Sequence, residues 1–254
     1  MTSAGIGQAR SLVQGAQRIA VLTGAGISTD SGIPDFRGPK GLWTRDPDAE
    51  KYSSIDFYLS DPELRVRAWQ FRLSNPVLVA QPNAGHRALV ALEHSGKLQR
   101  LVTQNIDGLH LAAGTSPELL TEAHGNTREA VCTACTWRGP MSETLDRVRA
   151  GEADPACSEC SGILKSATVF FGQSLDPACV QEAFDAAATC DLLVCLGSTL
   201  AVYPVAEMVP IALRRGTPVL IVNAERTEFD ESALVLRGSL SELLPEIFSG
   251  LSES

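Results

Sequence analysis

The sequence predicts an α/β fold, a parallel sheet with helices on both faces, and three observations predict it. Short apolar runs of strand length occur at 18–23, 98–103, 191–196 and 218–222. The last two (DLLVCL and PVLIV) are almost continuously apolar, as strands buried on both faces of a parallel sheet are. Segments of helical pattern lie between and after these runs, and alternating strands and helices specify a layered α/β sheet. The strands also run into glycine-rich or polar stretches, where ligands bind in open sheets of this kind.

Each element follows in order. Residues 4–17 carry a helical pattern that ends near Gly15. The strand 18–23 (RIAVLT) feeds directly into Gly24-Ala25-Gly26, a tight glycine turn. The segment 38–80 mixes Gly, Pro, Asp and isolated aromatics; it reads as a cover over a site, or as an ordinary helical insertion. Residues 84–96 form a helix, with Leu89, Val90 and Leu92 apolar and Gly96 as its stop. A strand at 98–103 and a short run at 119–123 follow. Residues 128–165 break the rhythm with four cysteines and Gly/Pro-marked turns, and read as an inserted module. Helices are expected at about 177–188, 204–214 and 240–249.

The chain has 254 residues, room for one large domain or a large domain with a small one attached. At 44% hydrophobic and 20% charged it supports a packed core and argues against disorder. The net charge of −9, from 21 basic and 30 acidic side chains, disfavours binding to a phosphate backbone. No run approaches the ~18 apolar residues of a membrane span, and the N-terminal residues lack the pattern of a secretory signal. A cytoplasmic location and a monomer are the default expectations. In a reducing compartment the seven cysteines serve better as ligands or core residues than as disulfides.

Cys132 and Cys135 form one Cys-x-x-Cys pair and Cys157 and Cys160 a second, with 21 residues between them. Two such pairs complete a tetrahedral thiolate shell with no open position, so one structural zinc ion per chain is predicted. A redox Cys-x-x-Cys would not need the second pair. Cys179, Cys190 and Cys195 fall in predicted helix or strand, as buried small hydrophobes.

The turn Gly24-Ala25-Gly26 and the residues to Gly32 let backbone amides approach a diphosphate. The dinucleotide fingerprint would need glycine where Thr29 stands, and no Gly-Lys-Ser/Thr of a P-loop follows. Beyond the turn, Asp35, Phe36 and Arg37 offer an acid, a flat ring and a base in succession. The strand 98–103 leads into Gln104-Asn105-Ile106-Asp107. Among four histidines, His124, before Gly125 at the end of a short run, is the better candidate base. Gly197-Ser198-Thr199 and Asn223-Ala224-Glu225 end two further strands, placed for ribose hydroxyls and a base.

Together these stretches resemble the sirtuin (Sir2-like) family of NAD-dependent protein deacylases, bacterial type. The matching pieces are GAGISTDSGIPDFRG (24–38), GLW (41–43), TQNIDGLH (103–110), HG (124–125), the cysteine quartet, FFG (170–172), GSTLAVYP (197–204) and NAE (223–225). The resemblance implies a Rossmann-like large domain of 1–37, 81–127 and 167–254. It implies a small lobe made of a helical, cofactor-loop part (38–80) and a zinc-binding module (128–166). NAD and an acylated lysine would enter the cleft between them. Gly24, Ala25, Gly26, Asp35, Phe36, Arg37 and Trp43 would line the NAD path. Gln104, Asn105, Ile106 and Asp107 would face nicotinamide and its ribose. Gly197, Ser198 and Thr199 would reach the phosphate or ribose edge, and Asn223, Ala224, Glu225 and Leu240 the adenosine end. His124 would be the catalytic base, with Asn105 and Asp107 beside it. Val169, Phe170, Phe171 and Gly172, with Ala201, Val202 and Tyr203, would flank the substrate peptide.

The implied reaction yields free lysine, nicotinamide and 2′-O-acyl-ADP-ribose from an acylated-lysine protein. Relatives that prefer succinyl or malonyl lysine carry Tyr-x-x-Arg in the small lobe. None of Tyr52, Tyr58 and Tyr203 is followed three places on by arginine, so a neutral acyl group, acetyl first, is expected. Gln173 stands where the family has glutamate after FFG, and Leu164-Lys165-Ser166-Ala167 replaces its basic-Pro-acid stretch. Two rivals remain: a protein mono-ADP-ribosyltransferase using the same cofactor, and a non-enzymatic zinc-ribbon scaffold that senses NAD.

Overall fold

A computed structural model describes residues 3–35 and 51–251. Its centre is a six-stranded sheet: β1 (Ile19–Thr23), β2 (Leu98–Thr103), β3 (Leu120–Glu122), β7 (Leu192–Leu196), β8 (Val219–Val222) and β9 (Leu234–Leu236). The spatial order is β3-β2-β1-β7-β8-β9, and every neighbouring pair is parallel. Numbered within this sheet alone the order is 3-2-1-4-5-6, the doubly wound arrangement. Its direction of growth reverses between β1 and β7. Thr23 pairs with both Thr103 and Leu196, so three strands end level at that point.

Side chains alternate across the sheet because successive Cβ atoms point to opposite faces. Ile19, Val21, Leu101, Val194 and Leu220 face α1 (Ser3–Gly15), α4 (Ala84–His94) and α9 (Leu240–Ile247). Ala20, Leu22, Val102, Leu193 and Cys195 face α7 (Pro177–Thr189) and α8 (Met208–Arg214) on the other side. Burial on both faces explains the continuous apolar runs of β7 and β8. The helix expected at 204–214 is divided: Val205–Glu207 is a 3-10 turn and α8 begins at Met208.

Two helices occupy the described part of 38–80, namely α2 (Ile55–Ser60) and α3 (Pro62–Leu73). Asp61 caps α3 by accepting from the Leu64 amide, and Pro62 takes the first helical position, where no donor is needed. A second, antiparallel sheet has the order β5-β4-β6: β4 (Gly125–Cys132), β5 (Arg138–Pro140) and β6 (Leu164–Thr168). Helix α6 (Met141–Arg149) completes it. Trp69 of α3 is fully buried among Ala130, Met141, Leu145 and Leu164, which joins α3 to this sheet through one apolar cluster. Cys190 and Cys195 are buried as expected, whereas Cys179, near the start of α7, is half-exposed. No described helix is long and apolar enough to cross a membrane.

Candidate active site

The turns after β1 and β7 touch at the switch point, and only glycine permits it. The Gly26 amide donates to the Gly197 carbonyl at 2.8 Å. A Cβ on Gly26 would lie 2.6 Å from the Gly197 Cα, and one on Gly197 would lie 2.6 Å from the Ile27 nitrogen. Gly197 also has φ +61, which a side chain disfavours. Beyond Gly24, residues Ala25–Ser31 form a 3-10 helix with Ala25 and Gly26 half-buried. Asn83 anchors it, donating from Nδ2 to the Ile27 carbonyl at 2.7 Å and to Ser31 Oγ at 3.0 Å.

The polar run after β2 is tied to that turn. Asn105 Nδ2 donates to the Gly24 carbonyl at 3.1 Å and to Ser28 Oγ at 3.3 Å. Ser28 Oγ donates to Asp107 at 2.7 Å, and the Leu109 amide donates to the other carboxylate oxygen at 2.9 Å. Burial raises the Asp107 pKa, opposed by those two hydrogen bonds and by Arg128. After β7, Ser198 Oγ donates to Gln104 Oε1 at 2.9 Å and accepts from the Leu200 amide at 3.2 Å. Leu200, at φ +58, closes this turn.

His124 completes the group. Its Nδ1 lies 2.9 Å from the Gln104 carbonyl, which only accepts, so Nδ1 carries the proton and Nε2 keeps its lone pair. Burial lowers the His124 pKa from 6.5, partly offset by the Gln104 carbonyl. Two constraints hold the ring: the His124 carbonyl accepts from the Val169 amide at 2.8 Å, and Gly125 stands at φ +71. A Cβ on Gly125 would come within 2.0 Å of the Ala167 carbonyl oxygen, so no other residue fits after His124.

The structure thus brings Gly24, Ala25, Gly26, Gln104, Asn105, Asp107, His124, Gly197 and Ser198 together at the carboxyl ends of β1, β2 and β7. Ile106 and Thr199 lie half-buried in the same two loops. Asn223, Ala224 and Glu225 end β8, where Asn223 Nδ2 donates to the Glu225 carbonyl at 3.1 Å. Asp35 is the last residue described before 51; Phe36, Arg37 and Trp43 lie outside the described residues.

Leu240 is buried in the core against α1 and α4. Phe170 is equally buried, edge-on to Tyr58 at 5.3 Å and beneath the Lys165 ammonium. The Phe171 amide donates to the Ser53 carbonyl at 2.7 Å and its carbonyl accepts from the Ile55 amide at 3.0 Å. Val169 and Val202 are half-buried, while Phe171, Gly172, Ala201 and Tyr203 are exposed. Gln173 Oε1 accepts from the Phe170 amide at 3.1 Å, a bond a glutamate would make equally well. The supporting residues Ser28 and Asn83 were passed over as sites. Asn83 had a readable signal, a helix cap between Pro82 and an apolar-periodic segment.

The model of the Sir2 family matches residues 24–204. The chain belongs to the Sir2 family. It is 48% identical, over 92% of its length and 97% of the relative's, to the NAD-dependent protein deacetylase 2 of Streptomyces coelicolor. A solved Sir2 structure described with a deacetylated p53 peptide and 3′-O-acetyl-ADP-ribose superposes with a TM-score of 0.88 at 34% identity, covering 97% of this chain and 99% of that one. A Sir2 structure bound to an acetylated peptide gives 0.85 at 32%, with the same coverage.

For this Sir2 chain the fit of two absent groups is testable. The Sγ atoms of Cys132, Cys135, Cys157 and Cys160 all lie within 4.8 Å of one another, with Cys132–Cys160 at 3.5 Å and Cys135–Cys157 at 3.7 Å. A tetrahedral ion with Zn–S bonds of ~2.3 Å needs S···S separations of about 3.8 Å, so the quartet fits zinc. At the other site, Gln104 Nε2 is a buried donor with no partner among the described residues. A polar ligand between Gln104 and the glycine turns would satisfy it.

Proposed function

We propose that this protein removes acetyl groups from lysines of proteins, with NAD as co-substrate, releasing nicotinamide and 2′-O-acetyl-ADP-ribose. The observation that carries the reading is the His124 imidazole. Its Nδ1 is fixed on the Gln104 carbonyl, which leaves Nε2 bare, and Gln104 leads into Asn105 and Asp107, which are bonded to the glycine turn and its Ser28 at the switch point. The names and contents of the similar proteins support it.

NAD supplies a ribose carbon whose bond to a cationic nicotinamide nitrogen breaks readily. The remaining work falls to the chain. Gly24, Ala25 and Gly26 approach the diphosphate with backbone alone, Ser198 and Thr199 reach the ribose edge, and Asn223, Ala224 and Glu225 lie toward the adenosine. Gln104 and Asp107 orient the nicotinamide, and the Asp107 carboxylate favours the positive charge that develops on the ribose as nicotinamide leaves. Asn105 positions the ribose or a water. The acyl carbonyl oxygen of the substrate lysine would bond to that ribose carbon as nicotinamide leaves; His124 Nε2 would then accept a proton from a ribose hydroxyl, whose oxygen adds to the acyl carbon, and water would release the lysine amine. The exposed backbone at Gly172 and at Ala201 and Tyr203 receives the extended peptide by strand addition. The zinc ion holds the β4–β6 module together and takes no part in the chemistry, since four thiolates leave it no open position.

A second acyl class is favoured by one observation. On α3 the Arg72 guanidinium lies over the Trp69 ring at 4.7 Å and the Tyr58 ring at 5.4 Å. Arg72 Nη1 and Trp69 Nε1 are buried donors without partners among the described residues. Trp69-x-x-Arg72 holds the spacing whose tyrosine form takes acyl carboxylates. A panel of acetyl, longer neutral and succinyl lysine peptides with NAD separates the readings. Faster acetyl turnover supports the proposal, and faster succinyl turnover replaces acetyl with a dicarboxylic acyl group. Nicotinamide release with ADP-ribose left on protein would favour the transferase rival, and NAD binding without release the scaffold.

A further inference from the structure

Beneath the floor of the site lies a buried polar line that the mechanism does not use. His110 Nε2 is 3.0 Å from Thr23 Oγ1, and Thr23 Oγ1 is 2.8 Å from Thr103 Oγ1. Thr103 Oγ1 in turn accepts from the Asn105 backbone amide at 3.0 Å. His110, Thr23, Thr103 and Asn105 are all buried, so none of these bonds competes with water. On the far side, the His86 ring is 5.0 Å from the His110 ring, centroid to centroid.

The proton positions along this line can be worked out. His86 Nδ1 accepts from the Asn83 amide at 3.3 Å, so its proton is on Nε2, a buried donor with no partner. His110 Nδ1 is likewise unpartnered. Thr23 Oγ1 gives its one proton to Thr103, so toward His110 it can only accept, which places that ring's proton on Nε2 and leaves Nδ1 bare. Thr23 then donates to Thr103, which accepts a second bond from Asn105. Burial supports neutral rings, lowering the His86 pKa to about 4 and that of His110 to about 3.

The structure assigns to His110 the role of a positioning residue: through the Thr23 and Thr103 hydroxyls it fixes the backbone of Asn105, with the His86 ring packed beside it at 5.0 Å. Asn105 is thereby held by bonds that touch no substrate. This inference rests on the deacetylase reading for its kinetic consequence, but the hydrogen-bond line itself does not.

The test compares Thr103→Val, which keeps the branched shape and loses the hydroxyl, with Thr103→Ser, which restores it. The expected result for Thr103→Val is a fall in kcat of about 10-fold or more, with KM for NAD changed less than about 3-fold, because the reacting groups are misplaced while binding persists. Asn105 amide exchange should quicken in the same variant. Thr103→Ser and His110→Gln, whose amide nitrogen replaces Nε2–H, should recover both. Nitrogen NMR of the wild-type His110 ring should show a neutral imidazole protonated at Nε2. Equal kcat in Thr103→Val and wild type, or a proton on Nδ1, overturns the assignment while leaving the deacetylase reading standing. An inert wild type sinks the deacetylase reading. The inference is then decided by Asn105 exchange: quickened in Thr103→Val supports it, unchanged overturns it.

Discussion

One nitrogen decides the chemistry at the level of single residues. Because the Gln104 carbonyl fixes the His124 proton on Nδ1, the atom proposed as the base is Nε2, and burial lowers the ring's pKa from the ordinary 6.5. His124→Ala should therefore lower kcat by ~10²–10⁴ with little change in thermal midpoint, read by nicotinamide release and by calorimetry. The pH dependence follows with its sign. His124 works only unprotonated, so activity falls as pH drops through its pKa, and the acid limb of kcat/KM should lie below 6.5. An acid limb centred above 6.5 would contradict the burial argument. His124 and Asn105 were legible in the sequence because each sits where an apolar run turns polar. The His110–Thr23–Thr103 line was not, since Thr23 stands 80 and 87 residues from its two partners and both threonines end strands as ordinary β-branched residues.

Between elements, the contact of the β1 and β7 turns sets the cradle. Gly26→Ala places a methyl 2.6 Å from the Gly197 Cα, so the two turns must part. A loss of about 1–3 kcal/mol in stability is expected, with weaker NAD binding, as measured by denaturant unfolding and titration calorimetry. Unchanged NAD affinity would show that the turns do not shape the site. β7 and β8 were legible from sequence because burial on both faces removes polar residues from them. The 204–214 helix was misjudged at its start, where Pro204 precedes a 3-10 turn and no capping side chain marks the boundary. Sequence position alone did not show that Phe170 packs on Tyr58, or that Leu240 packs into the α1–α4 layer. Periodicity within a segment cannot show which neighbour covers it.

For the molecule as a whole, two stability dependences follow. Zinc binding to the cysteine quartet is folding free energy for the β4–β6 module, and α3 shares its core through Trp69. Chelation, or Cys132→Ser, should lower the thermal midpoint and release one zinc per chain; an unchanged midpoint would contradict a structural metal. His86 and His110 give the second dependence. Their folded pKa values, about 4 and about 3, lie below the ordinary 6.5, so the unfolded chain takes up protons that the folded chain refuses. Their contribution is intact above 6.5 and is lost as pH falls toward 4, so the midpoint should drop across that window. The central claim remains chemical, and mass spectrometry of one reaction tests it most directly. Wild type and His124→Ala are each incubated with NAD and an acetyl-lysine peptide, and all products are weighed. The account predicts deacetylated peptide, nicotinamide and O-acetyl-ADP-ribose in equal amounts from wild type, and almost none from the variant. Nicotinamide without acetyl-ADP-ribose, or equal turnover by both proteins, would contradict it.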